Sequence, residues 1–388
     1  MHTIVRKIGA RHLMRAAQVG GAILVMIAGF SGLVSDSSLN RTTVVLAGIA
    51  LLVSGSIPAW FSTNKRLFIF GYSARFTGMI WGGVVPVLVL SAAFGAADQM
   101  IALVFWLSGL AAIVICLYAT TVGRTRIVFT KHEIKVDLAL AGNRIAVLSD
   151  LHLGDLTNLD QIRNAVELTN SANPDLVILA GDLIDADGRL TDDLVEELER
   201  FNSDTPVLAV LGNHDITADE SGLITAGLIE TESITLLRDD FLDFQFDTEN
   251  TGSVVRVVGV DPAMDWWDAA SESRAIEVVG KSLEEPPSFV IVACHHPDGF
   301  ESISKFNVDL MISGHTHGGQ LAIPGLRRIA NIGALATSYL WGEYELNSAQ
   351  LIVSAGIGVG IVPMRLGVNP EVTLIDLVTD TEISYLSN

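Results

Sequence analysis

The chain has 388 residues, 49% of them apolar, and a formal net charge of −20. This length allows two or more domains with a sizeable core. The acidic balance argues against nucleic acid as a partner, because phosphate backbones repel negative charge. The two cysteines, Cys116 and Cys294, lie far apart in the sequence and do not indicate a disulfide framework, so a reducing compartment fits.

Four long apolar stretches occupy the N-terminal third of the chain, at residues 16–34, 44–61, 76–97 and 100–122. Each has roughly 18 to 23 residues, enough to cross a hydrocarbon core as a helix. The acidic residues before residue 123 are Asp36 and Asp98, and both fall in short connections. Since no small-residue cleavage site follows the first stretch, we expect a retained anchor. The sequence predicts four transmembrane helices in a domain of residues 1–122.

Lysine and arginine cluster before the first stretch, between the second and third, and after the fourth, whereas the first connection carries only Arg41 and the third carries none. Because basic connections tend to stay in the cytoplasm, we expect a multi-pass protein of the plasma membrane with both ends cytoplasmic. Residues 1–122 hold 8 basic and 2 acidic residues and the remainder holds 16 and 42, which divides the net charge of −20 into +6 and −26.

From residue 123 onward, strands alternate with helices in the pattern of an α/β domain. The segment RIVFTKHEIKVDLAL predicts a β-hairpin or two edge strands. Amphipathic spacing predicts helices at about residues 159–170, 192–201, 220–231 and 266–283. Six apolar runs that end in polar residues predict buried strands, and they are IAVLSD, DLVILAGD, PVLAVLGNHD, VRVVGVDP, FVIVACHHP and VDLMISGH.

Five polar clusters close strands of this kind, where ligand sites of α/β sheets form, and they hold six of the nine histidines. Imidazole, carboxylate and amide oxygen are ligands of divalent Mn, Fe and Zn, and the lack of thiolates argues against structural zinc. Singly, each cluster also fits a turn or a helix cap, but the succession favours a metal centre. The clusters are SDLH (Asp150, His152), GDLID (Asp182, Asp185), GNHD (Asn213, His214, Asp215), CHHPD (His295, His296) and GHTHGG (His315, His317).

The spacing of His315 and His317 also predicts the direction of their side chains. Alternate side chains of an extended segment point the same way, so both histidines are expected to face one site from a strand end. The glycines that follow allow the backbone to turn tightly beside them.

The order D-x-H, G-D-x-x-D, G-N-H-D, H-x-P and G-H-x-H resembles the motifs of the calcineurin-like metallophosphoesterase superfamily. GHTHGGQ and the tail VSAGIGVGIVPMRLGVNPEVTLIDL are similar to a bacterial branch that includes membrane-associated phosphoesterases and UDP-diacylglucosamine hydrolases. The resemblance covers residues 144–377 and does not account for the four helices ahead. It implies an α/β fold, a four-layer α/β/β/α sandwich, for the domain of residues 123–388.

The resemblance also implies a cofactor of two divalent metal ions, Mn, Fe or Zn, with Mn favoured. His214 matches the histidine that hydrogen-bonds the substrate phosphoryl group or protonates the leaving oxygen. In CHHPD, the H-x-P spacing selects His295 and leaves His296 in the variable position. Of the seven implied ligands, Asp150, His152 and His317 would hold one ion, Asn213, His295 and His315 would hold the other, and Asp182 would bridge the two.

Two metals suit phosphoester hydrolysis because they lower the pKa of a bridging water and clamp the phosphoryl group. With two carboxylates and a bridging hydroxide, the centre would still be locally positive and could bind an anion despite the acidic surface. We expect a membrane-anchored hydrolase of phosphomonoester, phosphodiester or pyrophosphate bonds, whose anchor suggests a lipid-linked substrate. Two alternatives stay open: a non-catalytic membrane receptor or scaffold that senses a phosphorylated ligand, and a transporter, against which the uncharged apolar stretches argue.

Further residues have two interpretations each. Asp215 could orient His214 or cap a helix, and Arg365 could meet a substrate phosphate or form an internal salt bridge. Trp266 and Trp267 could form an aromatic rim or pack in the core. Cys294 is expected to fill space on a buried strand.

Overall fold

The computed structural model describes residues 117–379, except 186, 220–221, 247–252, 265–266, 286, 324–330, 332, 334–336 and 361–362, together with residues 111, 114 and 115. The four predicted transmembrane helices lie almost wholly outside the described residues and stay a prediction. Within the described part of the chain, no helix combines the length and the apolar character that a membrane crossing requires. The chain divides into units Met1–Val122 and Gly123–Asn388, and the fold below is that of the second unit.

A first mixed sheet contains six strands within the described residues. In spatial order they are β1 (Val128–Lys135), β12 (Glu371–Val378), β2 (Arg144–Leu148), β3 (Leu176–Ala180), β4 (Val207–Val210) and β5 (Thr235–Leu236). Strands β2 to β5 are parallel, whereas β12 runs antiparallel to β2 and parallel to β1.

A second mixed sheet also contains six strands in the described ranges. In spatial order they are β10 (Gly342–Leu346), β11 (Ala349–Val353), β9 (Leu310–Ser313), β8 (Phe289–Cys294), β7 (Val255–Val260) and β6 (Asp240–Phe244). The four central strands are parallel, and both edge strands pair with them in the antiparallel sense.

Helices connect the strands and cover the outer faces of the sheets. Side-chain caps define the start of the two longest described helices. The Asn158 side chain accepts a hydrogen bond from the backbone N–H of Gln161, and the Asp268 side chain accepts one from the backbone N–H of Ser271. The described helices are α1 (Val122–Thr125), α2 (Leu159–Ser171), α3 (Thr191–Leu198), α4 (Asn213–Ala218), α5 (Leu223–Glu230), α6 (Ala269–Ser282) and α7 (Phe300–Ile303).

The alternation of side chains along β2 shows how the layers are built. Ile145 and Val147 pack in the core between the two sheets, whereas Ala146 and Leu148 pack under the helices α2, α3 and α5. A third core lies beneath α6 and α7 on the far face of the second sheet. The order of layers in the described domain is therefore helices, sheet, sheet, helices, and the predicted α/β architecture is confirmed.

Several predicted elements need correction. The prediction of a hairpin or two edge strands in RIVFTKHEIKVDLAL is wrong, because the segment forms one edge strand, β1, whose neighbour β12 comes from the far end of the domain. The helix predicted at residues 266–283 begins later, at Ala269, after the Asp268 cap. The segment predicted as a helix at residues 220–231 is helical over Leu223–Glu230, and the helix α4 before it had not been predicted.

Candidate metal centre

The polar clusters meet because strands of both sheets end at the same edge of the sandwich. Asp150 and Asp182 follow β2 and β3 of the first sheet, and Asn213 follows β4 at the start of α4. His295 and His315 follow β8 and β9 of the second sheet. The carboxyl ends of parallel strands in two packed sheets thus bring the clusters together, as expected for a ligand site of an α/β fold.

The first group of candidate ligands consists of Asp150, His152 and His317, all buried. Their nearest ligand atoms lie within 4.8 Å of one another. His317 Nε2 is 3.5 Å from Asp150 Oδ1 and 3.1 Å from His152 Nε2. Two imidazole nitrogens and a carboxylate oxygen therefore converge on one point, which suits a borderline divalent cation.

The second group consists of Asp182, His295 and His315, whose ligand atoms also lie within 4.8 Å of one another. His295 Nε2 is 3.2 Å from Asp182 Oδ2. The side chain of Asn213 adjoins this group, since its Oδ1 atom lies 3.0 Å from His315 Nδ1. The second group thus offers two imidazoles, a carboxylate and an amide oxygen.

The Asp182 carboxylate lies between the two groups. Its Oδ2 atom is 3.2 Å from His295 Nε2 in the second group and 3.5 Å from His152 Nε2 in the first. One oxygen atom of a buried carboxylate is therefore close to imidazole nitrogens of both groups, which is the position that a bridging ligand would need.

His295 provides the clearest test of whether these residues fit a metal. Its Nδ1 atom lies 2.8 Å from the carbonyl oxygen of Ala180, which can only accept, so Nδ1 carries the proton. The buried Nε2 atom has no hydrogen-bond partner among the described residues, although Asp182 Oδ2 is near. In the absence of a metal, a proton on Nε2 would face Asp182 Oδ2, and a divalent cation could take the place of that proton between the two side chains.

Charge at the centre favours a cation as well. Burial alone would lower the pKa of His295, but the Asp182 and Asp150 carboxylates raise it to about 9. Burial alone would raise the pKa of Asp182, but His295 and His152 hold it well below its usual range. The second group therefore contains an ionised carboxylate that attracts positive charge, either a proton on His295 or a metal ion.

The two histidines of the GHTHGG motif remain neutral. Burial, followed by the charge of His295, lowers the pKa of His315 to about 3. Burial, together with His152 and Arg365, lowers the pKa of His317 well below its ordinary value. Both rings are therefore unprotonated at neutral pH and have lone pairs available for a metal.

The backbone at the centre is not extended, so the prediction that His315 and His317 are alternate side chains of an extended segment is wrong, although both rings lie in the centre. The two residues lie in a tight turn that continues into a 3-10 helix at His317–Gly319. His315 belongs to the second group and His317 to the first. Positive φ angles, which L-residues rarely adopt, occur at five of the candidate ligands: Asp150 (50°), His152 (46°), Asp182 (52°), His315 (70°) and His317 (52°).

His214 stands at the exposed edge of the centre, with 35% of its side chain exposed. Its Nδ1 atom lies 3.0 Å from both the carboxylate oxygen Oδ1 and the backbone oxygen of Asp185. Burial alone would lower the pKa of His214, but the hydrogen bond to Asp185 and the charge of Asp182 raise it to about 9. His214 is therefore protonated at neutral pH and can donate its Nε2 proton.

Asp185 contacts two residues of the centre, a role that its place in the GDLID cluster did not reveal. Besides His214, its Oδ1 atom lies 3.4 Å from Nδ1 of the candidate ligand His152. Carboxylates often orient metal-binding imidazoles in this way. The signal for this role in the sequence is the position of Asp185 as the second aspartate of the GDLID cluster.

Asp215 does not orient His214, so that interpretation is wrong. Its buried carboxylate accepts hydrogen bonds of 2.8 Å from the backbone N–H groups of Gly212 and Ile184. Burial and the nearby Asp182 charge raise the pKa of Asp215 to about 6. Asp215 instead caps the first turn of α4 and ties it to the loop after Asp182.

Both interpretations of Arg365 are wrong. Its guanidinium is buried and donates to backbone carbonyls, and no ion pair with a carboxylate is present within the described residues.

Cys294 fills space as expected, and burial raises the pKa of its thiol to about 12. Trp267 packs against the third core, in contact with Gly299, whereas Trp266 lies outside the described residues. His296 is buried against the His315 ring, with centroids 4.1 Å apart.

Comparison with known proteins identifies the domain. Residues 143–319 match the family described as calcineurin-like phosphoesterase. This part of the chain is a calcineurin-like metallophosphoesterase domain. Members of this family bind divalent metals, and the two groups described above are candidate ligands for them.

Curated relatives agree with this assignment. The chain is similar to the uncharacterized metallophosphoesterase YkuE of Bacillus subtilis, with 28% identity over 257 residues that cover 64% of this chain and 84% of YkuE. Phosphodiesterase YaeI of Escherichia coli is 27% identical over 248 residues, which cover 61% of this chain and 82% of YaeI. A Danio rerio "transmembrane protein with metallophosphoesterase domain" is 26% identical over 255 residues, which cover 63% of this chain and 55% of that protein. The metallophosphoesterase domain is that of a phosphoester hydrolase.

Proposed function

We propose that the protein is a membrane-anchored phosphoesterase that uses two divalent metal ions, with Mn favoured, to hydrolyse phosphomonoester, phosphodiester or pyrophosphate bonds. The observation that carries this proposal is the position of Asp182 Oδ2, 3.2 Å from His295 Nε2 and 3.5 Å from His152 Nε2. A buried carboxylate oxygen that lies within 3.5 Å of imidazole nitrogens of both groups supports a pair of neighbouring cations rather than a single one.

The first group and the second group would each hold one ion, with Asn213 as a further ligand of the second ion and Asp182 between them. When bound, the ions would lower the pKa of water and stabilise the charge that develops on the phosphoryl group. The protein's own contribution is to hold these side chains in place before the substrate arrives. The strained backbone at the ligands and the contact between Asp185 and His152 support such preorganisation.

His214 is proposed as the acid of the reaction. With a pKa raised to about 9, it carries a proton at neutral pH. Asp185 holds Nδ1 of the ring, which leaves Nε2 as the atom that donates. A proton held there can hydrogen-bond the phosphoryl group or pass to the leaving oxygen, a role worth about 10² to 10⁴ in rate.

A lipid-linked phosphate or pyrophosphate, of the kind found in UDP-diacylglucosamine, is the substrate class that we propose. The four apolar N-terminal stretches support an anchor, and the basic residues that flank them support a cytoplasmic catalytic domain in the plasma membrane. The relative from Danio rerio is itself named a transmembrane protein, and the relative from Escherichia coli is named a phosphodiesterase.

The test combines metal analysis of the full-length protein with a panel of aryl phosphates, cyclic nucleotides and nucleotide-linked lipids. His214→Ala is expected to retain bound metal and to lose turnover. His132→Ala is the matched control, because His132 lies on the edge strand β1 beside Glu343, away from the centre. Turnover that persists in His214→Ala would exclude the acid role. Metal and ligand binding without turnover in the wild type would instead favour a receptor.

A further inference from the structure

A glycine-rich loop at residues 354–360, with the sequence SAGIGVG, contacts the backbone of the first group. The N–H of Gly358 donates to the carbonyl oxygen of Asp150 at 2.7 Å, and the N–H of Ile357 donates to that of Ser149 at 3.0 Å. A Cβ atom on Gly356 would lie 2.6 Å from Asp150 Cβ, and one on Gly360 would lie 3.0 Å from His317 Nε2. The loop therefore limits the positions of both Asp150 and His317.

Arg365 holds this loop in place. Its Nη2 atom donates to the carbonyl oxygens of Ala355 at 2.7 Å and Gly358 at 2.6 Å, and its Nε atom donates to Gly358 at 2.9 Å. Nη1 lies 3.5 Å from the backbone oxygen of His317, and Nη2 lies 3.5 Å from the Nδ1 atom of that ring. The planar guanidinium, with five donors in a fixed arrangement, thus links the loop to a ligand of the first group.

Glu371 fixes the other side of the same loop. Its Oε1 atom accepts a hydrogen bond of 2.9 Å from the N–H of Ala355, and its own N–H donates to Gly356. The indole Nε1 of Trp341 donates to the same carboxylate at 3.0 Å. The loop is therefore fixed between a buried arginine and a buried glutamate, which do not form an ion pair with each other.

Burial of a charged group is costly, so Arg365 needs an explanation other than the filling of space. Burial lowers its pKa to about 10, and Asp150 and Glu371 act in the opposite direction, so the guanidinium stays charged at neutral pH. Backbone carbonyls, rather than a carboxylate, satisfy its N–H groups. Arg365 therefore fixes the conformation of the loop, because its loss would leave the buried carbonyl oxygens of Ala355 and Gly358 without this donor.

We infer that Arg365 is a positioning residue for the metal ion of the first group. Through the glycine-rich loop, it holds Asp150 and His317 in the backbone conformation that the first group requires. The inference rests on the proposed dinuclear function. Because the contacts of Arg365 lie on the first group, on the loop and on the carbonyl oxygen of Asn369, and not on the second group, its loss should weaken one metal site and spare the other.

The experiment measures Mn²⁺ affinity by calorimetry in the full-length protein with one group disabled at a time. In a His295→Ala background the first group remains, and Arg365→Met is expected to weaken Mn²⁺ binding at least about tenfold. In a His317→Ala background the second group remains, and the same substitution is expected to leave the affinity unchanged. Arg365→Lys, which keeps the charge without the planar fork, is expected to give an intermediate loss at the first group.

Arg256→Met is the matched control, since Arg256 is another buried arginine that donates to a backbone carbonyl, at Glu285, and lies on β7. It should not change either affinity. Equal affinities before and after Arg365→Met, or an equal loss at both groups, would overturn the inference. If Arg365→Met does not fold, Arg365→Lys and Gly360→Ala take its place. Each is expected to weaken Mn²⁺ binding at the first group and to leave the affinity of the second group unchanged. Failure of the wild type to bind Mn²⁺ would contradict the dinuclear centre itself. This outcome differs from one in which the wild type binds Mn²⁺ and Arg365→Met has no selective effect.

Discussion

His214 Nδ1 lies 3.0 Å from Asp185 Oδ1, and the same carboxylate oxygen lies 3.4 Å from His152 Nδ1. One side chain therefore contacts both the proposed acid and a candidate metal ligand. This arrangement connects the protonation of His214 to the geometry of the first group.

Asp185→Asn should change the pH dependence of turnover. The protonated form of His214 is the active one, so activity is expected to fall as the pH rises through about 9. Removal of the Asp185 charge should move the pKa of His214 toward the ordinary histidine value of about 6.5 and shift this alkaline limb of kcat/KM to lower pH.

The raised pKa of His214 also affects stability. It stabilises the fold below about pH 6.5, and this stabilisation is lost as the pH rises through the folded-state pKa of about 9.

Asp187→Asn serves as the control for that profile, because Asp187 is exposed and pairs with Arg189 at 2.7 Å. It should leave the alkaline limb where it is in the wild type. An unshifted limb in Asp185→Asn would show that the carboxylate does not govern the protonation of His214.

Asp215→Ala should destabilise the domain by about 1 to 3 kcal/mol, because two buried backbone N–H groups, of Gly212 and Ile184, would lose their acceptor. The measurement is the thermal melting midpoint of the metal-free protein. Glu196→Ala, at a side chain on α3 that is 75% exposed, is expected to change stability by less than about 0.5 kcal/mol. Equal midpoints for Asp215→Ala and the wild type would contradict the capping role.

Gly356→Ala should disrupt the first group. Gly356 has a φ of +69°, and a Cβ atom there would lie 2.6 Å from Asp150 Cβ. Because the neighbour is a buried ligand rather than a flexible side chain, we expect turnover to fall by about tenfold or more. Gly142→Ala is the matched control, since Gly142 has a φ of +89° but nothing within 4 Å of its added Cβ, so it carries the backbone strain without the clash. Equal turnover in the two variants would exclude a role for the loop.

Much of the centre could be predicted from the sequence because its chemistry is local to strand ends. Each cluster follows an apolar run, and the carboxyl ends of parallel strands in the two packed sheets meet. Asp150 after β2 and His295 after β8 are therefore close in space, although they belong to different sheets. Residue type and position at a strand end were sufficient for that prediction.

The conformation at the ligands could not be predicted in the same way. The x-H-x-H spacing suggested an extended backbone, yet the φ angles of 70° at His315 and 52° at His317 direct the two rings into different groups. Such strain is maintained by tertiary contacts, for example the hydrogen bond from Gly358 to the Asp150 carbonyl, and these contacts leave no local pattern in the sequence.

Long-range pairing explains the remaining errors. The alternation in RIVFTKHEIKVDLAL is typical of a strand, but the partner of β1 is β12, which lies near the end of the described chain. Arg365 likewise contacts carbonyl groups rather than the carboxylate or phosphate that its charge suggested. Neither a parallel partner nor a carbonyl acceptor can be recognised from neighbouring residues.

In the proposed centre, Asp182 would join two metal ions. The most direct measurement is the Mn²⁺ stoichiometry of the full-length protein together with its low-temperature electron paramagnetic resonance spectrum. We predict two ions per chain with an exchange-coupled spectrum, and in Asp182→Asn the loss of that coupling. A single bound ion in the wild type, or two ions without coupling, would contradict a centre of two ions joined by Asp182.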